Sequence, residues 1–148
     1  MAEDLIRATL TQGRDYQFEV QYGDGLAPLR TDESPPLGQG QGPTPVQLLA
    51  SAVGTCLSAS LLFALRKFKQ APEPLRCEVE AQLGRNADKR LRVQALRATL
   101  TLGVPAADLA HLERALEQFE DYCTVTQSVR QGIPVEVSVF DALGVKLK

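Results

Sequence analysis

Twenty consecutive residues, Val46 to Leu65, carry no charge, and a cysteine, Cys56, sits in their middle. A run of that length is what a membrane-crossing helix needs. Its content argues otherwise. Gln47, Ser51, Gly54, Thr55, Ser58 and Ser60 make the run only weakly apolar and leave no lipid-facing row of large side chains. The pattern predicts a central helix buried on nearly every side, whose small residues let neighbouring backbones approach closely. Thr44-Pro45 supplies its start, a hydroxyl N-cap followed by proline at the first helical position. Pro72 and Pro74 end the region after the basic turn Arg66, Lys67 and Lys69. One small sheet cannot hide a helix with so few polar positions. We therefore expect an obligate homodimer that buries it from both sides.

The flanking segments read mostly as strands. Leu5 to Thr11 and Tyr16 to Tyr22 form an expected hairpin about the turn Gln12-Gly13-Arg14-Asp15. In the second strand Tyr16, Phe18, Val20 and Tyr22 alternate with polar residues. Leu26 to Thr31 is a short third strand, followed by a loop rich in proline and glycine, Ser34 to Pro43. Beyond the central helix, Leu75, Cys77, Val79, Ala81 and Leu83 alternate as a half-buried strand. Leu91 to Leu102 is its partner, with a phase slip between Ala95 and Leu96 that predicts a bulge. Leu109, Leu112, Leu116 and Phe119 recur at helical spacing, and Cys123 extends that buried face. Cys123 also opens a short helical turn that Gly132 ends, before a last strand through Val135, Val137 and Val139. Strands and helices mix without strict alternation, so the expected class is α+β. At 148 residues, one domain over 1–148 is the expectation.

Composition narrows the function. Apolar residues make up 44% of the chain and charged ones 23%, and the formal net charge is −2. No Lys/Arg cluster stands out, which argues against nucleic acid as a partner. The acidic start Met1-Ala2-Glu3-Asp4 lacks the basic and apolar regions of a signal peptide, so we expect a cytoplasmic protein with no membrane partner. Structural disulfides are rare in that compartment. With three cysteines, one histidine and no Cys-x-x-Cys, a metal site is not expected.

Cysteine reacts as thiolate, so a reactive one needs a cation or a helix N-terminus nearby. Cys56 lies about three turns inside its helix and gains little from the helix dipole. Another segment must supply the cation, and Arg14 in the Gly13-Arg14 turn is the candidate. Cys123, at a helix start, is placed to be acidified by local amides. Two thiols that meet define a redox cycle, in which a sulfenic acid on one condenses with the other to a disulfide. The same two residues also read as ordinary core cysteines, a common fate of free thiols, and spacing does not choose between these readings. Cys77, on the apolar strand face with Leu75 and Val79, reads as a core residue.

Two segments carry a resemblance. Gly42-Pro43-Thr44-Pro45-Val46-Gln47-Leu48-Leu49-Ala50-Ser51-Ala52-Val53-Gly54-Thr55-Cys56 is similar to the Pro-x-x-Leu-Leu-x-Ala-x-x-x-Cys helix of the OsmC/Ohr family, the osmotically inducible and organic hydroperoxide resistance proteins. Cys123-Thr124-Val125-Thr126-Gln127-Ser128-Val129 resembles that family's Cys-Pro-Val-Ser segment. The resemblance covers nearly the whole chain. It implies an intertwined homodimer with central helices packed together and sites at the dimer interface. It further implies a peroxidatic role for Cys56, a resolving role for Cys123 and a thiolate-holding role for Arg14, with Arg30 as the alternative in the OsmC-like branch. Leu48, Leu49, Ala52 and Phe63 would then line an apolar pocket for organic hydroperoxides. An external dithiol would regenerate the enzyme, and no cofactor is implied. One departure stands out. Where the peroxidases carry a glutamate after the helix-opening proline, this chain has Val46. Glu33, in Asp32-Glu33-Ser34-Pro35-Pro36, is the available replacement partner for the arginine, although a solvated loop carboxylate is the simpler reading. The missing glutamate keeps a second function in view, a thiol-based binding or redox-sensing protein without efficient turnover.

Overall fold

The central helix begins where the sequence places it. The Thr44 hydroxyl accepts from the Gln47 amide at 3.2 Å, and the Gln47 side chain accepts from the Thr44 amide at 2.9 Å. This reciprocal cap fixes the first turn of α1, Pro45–Lys67. The computed structural model describes residues 4–132, 136, 138–141 and 145–148. Before α1 come three short strands, β1 Thr9–Gln12, β2 Phe18–Gln21 and β3 Leu29–Thr31. They form an antiparallel sheet in the order β1-β2-β3, with Leu10 opposite Val20 and Val20 opposite Leu29. The first and third strands are shorter than their hydrophobic runs suggest. Leu5, Ile6 and Leu26 lie outside them and are exposed.

After α1, β4 Arg76–Arg85 and β5 Leu91–Thr101 pair as a long antiparallel ribbon. The bulge is real but lies one residue earlier than the sequence pattern suggests. Gln82 pairs with Ala95 and Leu83 with Val93, which leaves Gln94 as the extra residue. A 3₁₀ turn, Ala106–Asp108, leads to α2 Leu112–Gln118, a second 3₁₀ turn Phe119–Tyr122, and α3 Thr124–Gln131. The expected helical face from Leu109 to Phe119 is corrected in two places. Leu109 precedes the helix, and His111 enters it in a left-handed conformation. That rotation carries Leu116 to the surface and turns Ala115 wholly inward. The last predicted strand falls at Val135 and Val137, outside the described residues; Val139 donates to the Lys148 carbonyl at 3.0 Å. The class is α+β, as the mixed order predicts.

The core lies along α1. Leu61, Ala64 and Leu65 pack with Ala115, Leu100, Leu112 and Phe119. Val53 and Leu57 pack with Cys123, Leu96, Ala98, Val125 and Val129. By length and composition α1 is able to cross a membrane. Here it packs against β4, β5, α2, α3 and the second 3₁₀ turn. It is less enclosed within one chain than its composition suggests. Gln47, Ser51, Thr55, Ala59 and Phe63, spaced at four residues, form an exposed stripe along it.

The loop between β3 and α1 is organised by a buried carboxylate. Asp32, 2% exposed, accepts from the amides of Glu33 (2.8 Å), Gln39 (3.2 Å) and Gln41 (3.0 Å) and from the Gln17 side chain (3.4 Å). The chain wraps so tightly that a Cβ at Gly38 would collide with the Asp32 carboxylate and the Glu33 carbonyl. Burial pushes the Asp32 pKa up, and the four hydrogen bonds outweigh it, leaving the carboxyl below its ordinary value. With a depressed folded pKa, the stabilisation is complete above the ordinary aspartate value of 3.8 and is lost as pH falls from there toward the folded value.

Two outcomes are expected. Leu65→Ala, at a wholly buried site, should lower unfolding free energy by about 2–5 kcal/mol, whereas Leu37→Ala at an exposed one should change it by less than about 0.5 kcal/mol. Urea denaturation measures both. Asp32→Asn should flatten the acid limb of the stability–pH curve, and an unchanged limb would remove this carboxylate from the account.

Candidate active site

Helix geometry sets the two expected site cysteines against each other. On α1, Cys56 and Ser60 are one turn apart and share a face. Cys123 is the N-cap residue of α3, and Thr126 is the third residue of that helix. The cluster joins them. Cys123 is wholly buried beside Val53 and Leu57, and Cys56, half-buried, packs against the same group. Ser60 and Thr126 are buried polar residues in this otherwise apolar setting.

The Cys123 thiol donates to the Thr126 hydroxyl, with sulfur and oxygen 2.9 Å apart. Burial pushes the Cys123 pKa up. Hydrogen bonding from the Thr126 side chain opposes this most strongly, followed by the Cys56 thiol, the Thr126 amide and the Ser60 hydroxyl. The amide contributes without closing a capping bond. The sum leaves Cys123 more acidic than an ordinary thiol. Among the described residues the groups that act on it are hydroxyls, a thiol and an amide, with no charged side chain.

The remaining predicted residues are spread more widely. Arg14 sits at the tip of the first hairpin with its side chain 79% exposed, 3.7 Å from Asp15, and it is not among the groups that act on Cys123. Arg30 is exposed on β3, opposite Glu19. Glu33 is half-buried in the Asp32 loop, where its amide donates to Asp32 and its carbonyl accepts from Gly40. Leu48 and Leu49 are half-buried, while Ala52 and Phe63 are exposed. Phe63 meets Tyr122 edge-on at 5.9 Å, and the Lys67 ammonium lies 5.8 Å from the Phe63 ring and 5.4 Å from that of Tyr122. Val46 occupies the first turn of α1, which holds no acidic residue. Among the described residues no group of His, Cys, Asp or Glu is arranged to hold a metal.

Among the described residues, cavities lie on two sides of α1. The larger, ≈ 1130 Å³, is polar and runs past Thr44, Ser51, Thr55 and Ser58 to Cys77, on the side away from the paired thiols. The smaller, ≈ 780 Å³, is lined by Leu49, Val53, Leu57, Leu96, Phe119 and Thr126 among others. The smaller one is the more relevant to chemistry because Thr126 lines it while bonding to Cys123. Of the four expected pocket residues only Leu49 borders it. Thr126 and Ser60 were not singled out from the sequence. The available signal was their spacing, a hydroxyl three residues after Cys123 at a helix start and another four after Cys56.

This constellation, paired thiols between a long central helix and a short C-terminal one in an α+β fold, defines a class. The family model for OsmC-like protein matches residues 38–138, and the chain belongs to that family. Solved structures agree on the fold. An OsmC-like protein from Mycoplasma pneumoniae superposes with a TM-score of 0.71 at 13% identity, covering 89% of this chain and 91% of that one. An organic hydroperoxide resistance protein OsmC from Legionella pneumophila gives 0.63 at 20% identity, with coverage of 88% and 92%. The organic hydroperoxide resistance protein OhrB of Bacillus subtilis gives 0.59 at 16%, with 86% and 91%. No curated protein sequence matches the chain.

Burial orders the thiols for an external reagent. A small neutral alkylating agent applied to the native protein should label half-buried Cys56 before Cys123. Peptide mapping over time checks this, and prior labelling of Cys123 would contradict the packing described.

Proposed function

We propose that this protein reduces organic hydroperoxides by a two-cysteine mechanism. The observation that carries it is the pairing of half-buried Cys56 with buried, acidified Cys123 beside an apolar cavity. The Cys56 thiolate attacks the terminal peroxide oxygen. The O–O bond breaks, Cys56 becomes a sulfenic acid, and the alkoxide leaves and takes up a proton as the alcohol. Cys123 then displaces hydroxide from the Cys56 sulfur to form a disulfide, and an external dithiol returns both to thiols. In this reading the protein acts as a cytoplasmic homodimer. Arg14, exposed at the tip of the first hairpin, would be brought to Cys56 across the dimer interface to favour its thiolate. Names of structural relatives that refer to hydroperoxide resistance lend support.

One observation favours a second reading. The first turn of α1 holds Val46 and no carboxylate to orient an arginine, which suits a thiol sensor or binding protein that reacts once and turns over slowly. Peroxide consumption separates the two: many equivalents per Cys56 with excess dithiol for the enzyme, one for the sensor.

One equivalent of tert-butyl hydroperoxide should convert Cys56 and Cys123 to an intramolecular disulfide, with loss of two hydrogens and no added oxygen by mass spectrometry. Cys56→Ser should abolish peroxide consumption with the fold intact. A Cys56–Cys77 link, or full activity in Cys56→Ser, would sink the assignment.

A further inference from the structure

A buried sulfur in an apolar cluster is a poor nucleophile. It must ionise to attack, and an unpaired charge away from water is costly. Cys123 is wholly buried, and among the described residues no charged side chain acts on it. What surrounds it is a pair of hydroxyls. That of Thr126 lies 2.9 Å from the sulfur, and Ser60, on α1 one turn beyond Cys56, also lowers the Cys123 pKa. Both residues are buried.

We propose that Thr126 is the positioning residue for the second thiol: its hydroxyl, with that of Ser60, orients and stabilises the Cys123 sulfur for attack on Cys56. The assignment rests on the two-cysteine reading above for its catalytic meaning. A threonine hydroxyl suits the task because it reverses its role. While Cys123 is a thiol, the S–H donates to the Thr126 oxygen. Once the proton leaves, the hydroxyl rotates and donates to the thiolate. Hydrogen bonds to an ionised acceptor are about twice as strong as neutral ones, so the pair favours the charged form selectively. The acidification of Cys123 agrees with this arrangement.

The step balances without an outside oxidant. The Cys123 thiolate attacks the Cys56 sulfenic sulfur, an S–S bond forms and the S–O bond breaks. The departing hydroxide takes up the proton that Cys123 gave and leaves as water. Cys56 is reduced and Cys123 oxidised by the same amount. Thr126 also lines the ≈ 780 Å³ cavity, so the residue that bonds to the sulfur borders that space as well.

The test uses the full-length protein carrying Cys77→Ser, so that only two thiols remain, with Thr126→Val, Thr126→Ser and Ser60→Ala added singly. Thr126→Val keeps shape and loses the hydroxyl. With one equivalent of tert-butyl hydroperoxide, Cys56 should oxidise at the parent rate, and conversion of its sulfenic acid to the disulfide should slow by about tenfold or more. Under excess peroxide, sulfinic acid should then build up on Cys56. Thr126→Ser should restore resolution. Independently of any peroxide, ultraviolet titration of thiolate should move to higher pH in Thr126→Val and return in Thr126→Ser. An unchanged titration together with unchanged resolution would overturn the proposal. If Cys56 fails to react with hydroperoxide even in the parent, the two-cysteine function fails, and the titration alone judges Thr126: an upward shift upholds its hold on the sulfur and no shift removes it. Should Thr126→Val not fold, Ser60→Ala reads the same titration from the other hydroxyl, with the same two outcomes.

Discussion

The close seating of α1 on β4 is the contact on which the rest depends. A Cβ at Gly54 would come within 2.8 Å of Val79 Cγ2 and 3.5 Å of the Cys77 sulfur. The helix reaches the sheet at that depth only because position 54 has no side chain. The helical repeat then distributes the other residues. At about 100° per residue, Cys56 lies on the side of α1 opposite Gly54, while Val53 and Leu57 turn toward β5 and the C-terminal helices. Cys77 stays on the sheet side. One glycine contact thus sorts three thiols into a pair and a separate residue, with the body of a helix between them.

The polar residues within the uncharged run are handled in two ways. The Ser51 and Ser58 hydroxyls each donate at 2.7 Å to the carbonyl one turn earlier, Gln47 and Gly54 respectively. Such bonds satisfy a hydroxyl without a partner from another element. Ser60 differs in being buried and in lowering the Cys123 pKa from α1. The run therefore carries its polar atoms on an exposed stripe and in bonds to its own backbone, and it sets Ser60 on the face of Cys56.

The strongest periodicities were legible from the sequence. The cap at Thr44, the alternation of β4 and the stop at Gly132 are local features with local causes, and they stand where the residues put them. What escaped depended on contacts between segments. The Leu109–Phe119 pattern could not anticipate the left-handed His111, which stacks on Phe68 at 4.8 Å and rotates the helix so that Ala115 faces inward. The role of Asp32 went unread, because the amides that hold it come from residues up to nine positions away. Of the site, the two cysteines were visible as unusual residues in motifs. The hydroxyls beside them were not, since serine and threonine are common and become informative only when buried. Arg14 and Arg30 could be named by context but not placed against Cys56.

The two thiols draw on different physics, which bears on how such a site is built. Cys56 is half-buried. In the proposed function a cation would reach it from another chain, and at a partly solvated sulfur a guanidinium need not be fully dehydrated. Cys123 is enclosed, and a cation there would itself have to be buried at a desolvation cost of several kcal/mol. Hydroxyl dipoles already fixed by α1 and α3 avoid that cost and gain strength from the low local dielectric. Under the proposed function the first thiol would depend on assembly of two chains, and the second would be complete within one. A loss of dimer contacts would then silence the attack on peroxide while leaving the resolving sulfur poised, so the chemistry would stop before, and not after, the sulfenic acid forms.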